Sequence, residues 1–324
     1  MLANKMFDLI KNDLSQLELA LQQAATAPEK IITEIGSHLV ASGGKRLRPA
    51  IYFLAARCGQ DFDLQKAMPL AVALEMMHMA SLVHDDVIDS ADTRRGAVTA
   101  NAKWGNQISI LAGDYLFAKA FALVAENNYS KRVDRQLARL ICDLSSGELI
   151  QNKEIYKASC DVQEYYERIA KKTANFIAIS CQLGGDVAGL SEEYIQALYD
   201  FGYNVGMAFQ LTDDLLDLTS DDVTLGKPAG NDIRQGIVTL PAIRALEVSP
   251  DRDELHAIVT DKNMTDAMLQ RALEIVRASD GIEFSKQKVE EFLQAAVDVL
   301  PQEMPEEIRD SYRMVVSFVG GRKY

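Results

Sequence analysis

Hydrophobic positions recur at helical spacing along almost the whole chain. Leu9, Leu14, Leu17 and Leu21 lie three to five residues apart, and Ile195, Leu198, Tyr199, Gly202 and Tyr203 repeat the stripe much later. Alternating runs suited to strands are scarce, and no Asn-Gly or Asp-Gly turn is flanked by alternating apolar residues. Ser42-Gly43-Gly44, Gly184-Gly185 and the stretch 226–236 are predicted to fall between helices. Pro49, and Pro241 after Thr239, are predicted at helix starts. No linker rich in Pro, Gly or Ser interrupts the pattern, so the expectation is one all-α domain over 1–324.

Composition narrows the function classes. The 324 residues are 48% hydrophobic and carry a net charge of −13, so a large core is available and the basic footprint of a nucleic-acid binder is missing. The first twenty residues read as an amphipathic helix without a signal-peptide core. The stretch 68–83 is read as the most apolar, and Glu75 and His78 interrupt it, so no transmembrane segment is expected. Of the four cysteines, Cys58, Cys142 and Cys181 are expected as reduced core thiols of a cytoplasmic protein, and none pairs with Cys160 or another in a zinc-like spacing.

Two short segments stand out chemically. Asp85-Asp86-Val87-Ile88-Asp89 and Asp213-Asp214-Leu215-Leu216-Asp217 share the form D-D-x-x-D, and each closes an apolar helical run. Residues four apart share a helix face, so Asp85 sits with Asp89 and Asp213 with Asp217. One such cluster alone is most simply a solvated helix end. Two of them suit Mg²⁺, which takes a few carboxylates together with substrate phosphates.

Basic residues accompany both clusters. Gly43-Gly44-Lys45-Arg46-Leu47-Arg48-Pro49 sets three cations in a glycine-opened loop before a helix, although it is not a P-loop. Arg94-Arg95-Gly96 follows the first cluster, Lys171-Lys172-Thr173 lies between the two, and Lys227 follows the second. Together they outline two anion sites, one bridged by metal and one held by cations.

With these motifs in this order, the chain resembles the trans-isoprenyl diphosphate synthase family over nearly its whole length. The match is carried by the Gly-Gly-Lys-Arg-x-Arg-Pro loop, by 82–89, by Gly113-Asp114-Tyr115-Leu116-Phe117 and by 209–214. Within the family it is most similar to medium-chain polyprenyl synthases, especially the catalytic component of bacterial heptaprenyl diphosphate synthase. The resemblance implies a single helical bundle of the isoprenoid synthase type with a central active-site cavity. It implies that Asp85, Asp89 and Asp213 ligate a set of three Mg²⁺ ions, with Asp86, Asp214 and Asp217 completing the clusters. Arg94, Lys172 and Lys227 would contact the allylic diphosphate. Gly44, Lys45, Arg48, His78 and Arg95 would hold isopentenyl diphosphate, and Thr173 and Gln210 would face the reacting carbon. His84 is left structural. Ile237 stands where many family members have a lysine.

The implied reaction extends an allylic diphosphate, such as farnesyl diphosphate, by isopentenyl units. The growing chain would run along the helix before Asp85, past Ala80 and Ser81 and toward Met77 and Ala73. Small residues at 80 and 81 leave that path open. A product longer than farnesyl diphosphate is expected, heptaprenyl first and geranylgeranyl second. A terpene cyclase of the same fold is the nearest alternative, but it would have no purpose for Lys45 and Arg48. The family also implies a homodimer, and a small regulatory subunit is known among heptaprenyl synthases.

Overall fold

The middle of Leu64–Ile88 is buried on every side of the helix, through Leu70, Ala73, Leu74, Met76, Met77, Ala80 and Val83. Such a helix belongs in the middle of a core. Its start is capped by Asp63, whose carboxylate accepts from the Gln65 amide at 2.9 Å. Its end is a left-handed residue, Ser90, with φ 51°.

The computed structural model describes residues 6–158, 161–219 and 229–322. By contacts the chain divides into two compact units, one of Met1–Leu137, Ser180–Gln196 and Glu303–Tyr312, the other of Ala138–Ile179, Ala197–Gln302 and Arg313–Tyr324. The all-α expectation holds.

In the first unit, the central helix is accompanied by Lys11–Ala24, Lys30–Ala41, Leu47–Ala56 and Asn106–Glu126. The predicted stripe Leu17 and Leu21 faces inward, whereas Leu9 is exposed. Asp13, on the same helix, is buried and held by a fork from Arg57 at 2.7 and 2.9 Å. Asn106–Glu126 meets the central helix at Gly113, where a Cβ would stand 2.3 Å from the His84 ring. His84 itself bonds to the Ile110 carbonyl at 3.1 Å.

Gly184-Gly185 does not break a helix but lies inside Asn175–Val187. A Cβ on Gly184 would fall 2.3 Å from the Tyr52 carbonyl oxygen, so the glycine serves close packing. Cys142 is likewise not a core thiol. It is exposed on Lys131–Glu154, whose inward stripe is Val133, Leu137 and Leu140, while Cys181 is buried as expected and Cys58 is half-buried. Cys160 lies outside the described residues.

Asn106–Glu126 is also apolar enough, by length and composition, to cross a bilayer, a feature the reading of 68–83 overlooked. Leu64–Ile88 passes the same test but is 72% buried over its most apolar window, whereas only 33% of that window is buried in Asn106–Glu126.

In the second unit, the latter part of Glu192–Thr219 packs against the chain 174–178 through two glycines. A Cβ on Gly202 would come 2.7 Å from Ala178 Cα, and one on Gly206 would come 2.5 Å from Ala174 Cα. Before that contact, Val162–Ile169 runs into a wide turn of π helix at Ala170–Ala174. The C-terminal end of Glu192–Thr219 is closed by Arg277, which donates to the Leu218 carbonyl at 2.6 and 3.1 Å. Thr239 and Pro241 do open a helix, Leu240–Val248.

Candidate active site

The first acidic cluster divides into two kinds of carboxylate. Asp86 is buried and receives Arg94 Nε at 2.6 Å. Asp85 is half-exposed and Asp89 exposed, on the face they share. The chain then forms a two-strand antiparallel ribbon, Thr93–Arg94 with Ala97–Val98. Its turn places Arg95 and Gly96 at φ 54° and 79°, the two positive values a tight hairpin needs. Sequence patterning missed this ribbon because each strand is two residues long. Thr99 ties it down by donating to the Ala91 carbonyl at 2.7 Å.

Arg95 reaches from the ribbon to the glycine loop, where its guanidinium donates to the Gly43 carbonyl. A Cβ on Gly44 would stand 2.5 Å from Arg95 Nη1, so glycine at 44 admits the guanidinium. Arg48 is half-buried and its Nη1 lies 3.2 Å from His78 Nε2. Burial, then the surrounding arginines Arg48, Arg95, Arg94 and Arg46, push the His78 imidazole well below its ordinary range. His78 is therefore neutral and Nε2 accepts from Arg48. Burial pulls Arg48 down to about 10, still a cation at neutral pH. Lys45 is exposed on the same loop. A cleft of about 500 Å³, open to solvent, has Gly43, Arg46, Glu75, His78, Asp86, Arg94 and Arg95 in its wall and Leu39, Met79 and Leu82 as its apolar side. Of the residues expected beside the growing chain, Met77 and Ala80 are fully buried and Ser81 is half-buried, its hydroxyl donating to the His78 carbonyl at 2.9 Å.

The second unit gathers Lys172, Thr173, Gln210, Asp213, Asp214 and Asp217. Thr173 Oγ1 donates to Gln210 Oε1 at 2.7 Å, and Gln210 Nε2 donates to Asp214 Oδ1 at 2.9 Å. The other oxygen of Asp214 receives the Tyr165 hydroxyl at 2.6 Å. Burial raises the Asp214 carboxyl to about 6, while the bonds from Tyr165 and Gln210 work against that rise. Lys172 stands on the π turn and pairs with Glu148 at 2.5 Å and Gln151 at 2.9 Å. Gly147 admits it, since a Cβ there would meet Lys172 Cγ at 2.8 Å.

Asp213 pairs with Arg322 at 2.5 Å, and Arg322 also lies over the Phe209 ring, 4.8 Å from its centre. Asp217 accepts the amides of Asn231 at 3.2 Å and Asp232 at 3.1 Å, and so starts the short helix Asn231–Arg234. Asp232 is half-buried, and its desolvation, with the Asp217 carboxylate nearby, raises its carboxyl well above the ordinary range. Lys227 lies outside the described residues. Ile237 is half-buried, with its amide on the Asp232 carbonyl at 2.8 Å.

Tyr165, Arg168 and Glu148 went unnoticed in sequence, and no role was assigned to Arg322. Arg168, buried, holds Glu154 and donates to the Val238 carbonyl at 3.0 Å, which anchors the helix that carries Tyr165. Only its run of aromatic and charged residues, Tyr165-Tyr166-Glu167-Arg168, marked that helix.

Among the described residues, no three His, Cys, Asp or Glu side chains are gathered into a ready-made metal cage. The donor set fits a hard cation held by few protein oxygens. Asp86 and Asp214 are buried on protein donors, while Asp85 with Asp89, and Asp213 with Asp217, are the more exposed carboxylates, in pairs four apart, Asp213 also meeting Arg322 and Asp217 the amides of Asn231 and Asp232.

The chain belongs to the polyprenyl synthetase family, whose model matches residues 29–276. It is 40% identical over 319 residues to heptaprenyl diphosphate synthase component 2 of Geobacillus stearothermophilus, covering 98% of both chains. The fold is similar to the crystal structure of heptaprenyl diphosphate synthase from Staphylococcus aureus, with a TM-score of 0.91 and 31% identity over 97% of this chain and 99% of that one. It is equally similar to a polyprenyl synthase from Caulobacter crescentus complexed with calcium and isoprenyl diphosphate, with a TM-score of 0.92 and 32% identity over 99% of this chain and 98% of that one. The resemblance read from the motifs thus holds.

Proposed function

We propose that the chain is a Mg²⁺-dependent trans-prenyltransferase. It condenses isopentenyl diphosphate with an allylic diphosphate, such as farnesyl diphosphate, and releases a medium-chain all-trans polyprenyl diphosphate, heptaprenyl in the first instance. The observation that carries this reading is one cleft of the first unit, where Arg94 on Asp86 adjoins Arg95, bound to the Gly43 carbonyl, and His78, bound to Arg48. Arg94 with its carboxylate and Arg95 beside His78 share that wall, which suits two neighbouring diphosphates.

Asp85 and Asp89, with Asp213 and Asp217, would hold Mg²⁺. When bound, the metal neutralises charge that builds on the leaving diphosphate oxygen as the allylic C–O bond breaks. Arg94, Lys172 and Lys227 would each add positive charge toward the allylic diphosphate. Lys45, Arg48 and Arg95 grip the other diphosphate, and neutral His78 holds Arg48 in place. Thr173 spends its proton on Gln210, so a lone pair of Thr173 Oγ1 is left to face positive charge on the allylic carbon. Met79 and Leu82 give the cleft of the first unit an apolar side suited to a prenyl tail. No side chain is assigned as base, and the released diphosphate accepts the proton. Ala80, Ser81 and Met77 line the path of the growing tail.

Ile110 and Leu111 are exposed on the apolar helix Asn106–Glu126, which supports a homodimer as the resting form. The component 2 designation of the Geobacillus relative supports a small second subunit. A cytoplasmic enzyme that meets the membrane only through its product fits both. The test is the purified chain with Mg²⁺, farnesyl diphosphate and labelled isopentenyl diphosphate, its products resolved by length. Labelled polyprenyl products are expected. Absence of incorporation, with and without the partner component, overturns the reading.

A further inference from the structure

Lys45 and Arg48 are assigned to a ligand, but the arginine between them, which with Glu75 lies in the wall of the cleft, is taken up by protein partners. Arg46 is 7% exposed and sits in the left-handed region at φ 46°. A side chain there costs about 1–2 kcal/mol, so the surroundings must hold it. They do so through one guanidinium and three separate segments. Nε and Nη2 fork onto Glu18 at 2.6 and 3.1 Å, Nη1 donates to Glu75 at 2.8 Å, and Nη2 also reaches the Val40 carbonyl at 3.2 Å. Four hydrogen bonds leave little of the guanidinium for a substrate.

Glu75 is the decisive partner. It is 3% exposed and lies on Leu64–Ile88, three residues before His78 and ten before Asp85. Its charge favours the ionised forms of Arg48 and Arg95 as well as Arg46. The loop is thus fastened from two sides: Arg46 pulls its backbone toward the helix that bears the first acidic cluster, and Arg95 holds the Gly43 carbonyl.

We infer that Arg46, clamped between Glu18 and Glu75, is a positioning residue that sets Lys45 and Arg48 against the isopentenyl diphosphate. The inference rests on the proposed assignment of that diphosphate to Lys45, Arg48 and Arg95. Arg46 touches no substrate. It converts the fixed path of the central helix into a fixed distance between two diphosphates.

The experiment compares Arg46→Met, Arg46→Lys and Glu75→Gln with the parent enzyme. KM is measured for each substrate, and binding of isopentenyl diphosphate by calorimetry without turnover. Arg46→Met is expected to raise KM for isopentenyl diphosphate at least about tenfold, with KM for the allylic substrate within about twofold, because a small displacement of a positioned group is costly. Glu75→Gln shifts the same constant in the same direction. Arg46→Lys keeps the charge but not the fork, and fails to restore it. Should Arg46→Met not fold, Glu18→Gln removes one arm of the clamp at a half-exposed site and is expected to show the same split more weakly. Equal change in both KM values, or a lowered melting temperature with both unchanged, overturns the inference. Lys45→Ala and Arg48→Ala serve as the control. If they leave isopentenyl diphosphate binding intact, the subsite assignment fails. If they weaken it while the Arg46 variants do not, only the clamp fails.

Discussion

The Tyr165 hydroxyl donates to Oδ2 of Asp214 at 2.6 Å, while Gln210 donates to Oδ1 of the same carboxylate at 2.9 Å. The middle aspartate of the second cluster is therefore a scaffold for Gln210 and Thr173 as much as an acid. Tyr165→Phe strips one donor from a buried carboxylate and is expected to cost about 1–3 kcal/mol in denaturant unfolding. Because the bond from Tyr165 opposes the burial that already lifts Asp214 to about 6, the variant should move that titration further up. An unchanged unfolding midpoint would show that the relay carries no load.

Stability should fall on the acid side through His78. Burial and four arginines keep its imidazole neutral in the folded chain, well below the ordinary histidine range. Below a pH of about 6.5 the unfolded chain takes up a proton that the folded chain does not, so stability drops as pH falls, by at most about 1.4 kcal/mol per pH unit. Urea midpoints between neutral pH and pH 5 measure this slope. His78→Gln keeps an acceptor for Arg48 without the titration, and its slope should be shallower.

Chelation of divalent cations should abolish turnover and leave the helical circular-dichroism signal in place. The central helix Leu64–Ile88 is held by apolar burial and by Arg94 on Asp86, neither of which needs a metal. Asp85→Ala is expected to lower kcat by about a hundredfold or more while the fold survives, since Asp85 is half-exposed. Loss of the helical signal with chelator would contradict this picture.

Product length should respond to position 81. Ser81 is half-buried and donates only to the His78 carbonyl, so a larger residue can be fitted there at modest cost. Ser81→Phe is expected to shorten the products to geranylgeranyl length or less, read by chromatography of the hydrolysed alcohols. Unchanged lengths would move the growing tail to another path.

The helical class, both acidic clusters and the glycine loop were legible because each rests on spacing within a few residues. The rest depends on partners remote in sequence. Nothing around Arg46 announces Glu75, and nothing around Asp214 announces Tyr165, since each pair closes only when separate helices pack. Gly184 looked like a helix breaker because its value lies in the Tyr52 carbonyl opposite it. Cys142 looked like a core residue because apolar neighbours in sequence occupy other faces of the same helix. The ribbon at Arg94 and Arg95 was too short for any periodic signal.

The π turn at Ala170–Ala174 has a different kind of consequence. One surplus residue in a helix offsets everything after it by about 100° around the axis. Upstream, that axis presents Tyr165 to Asp214; downstream, it presents Ala174 and Ala178 to the two glycines opposite. Deleting any single residue between 170 and 174 would wind the two faces out of alignment, and no choice of side chain could bring them back. Lys172 and Thr173 are thus tolerant of neither insertion nor loss nearby, so this stretch is constrained in length as well as in identity.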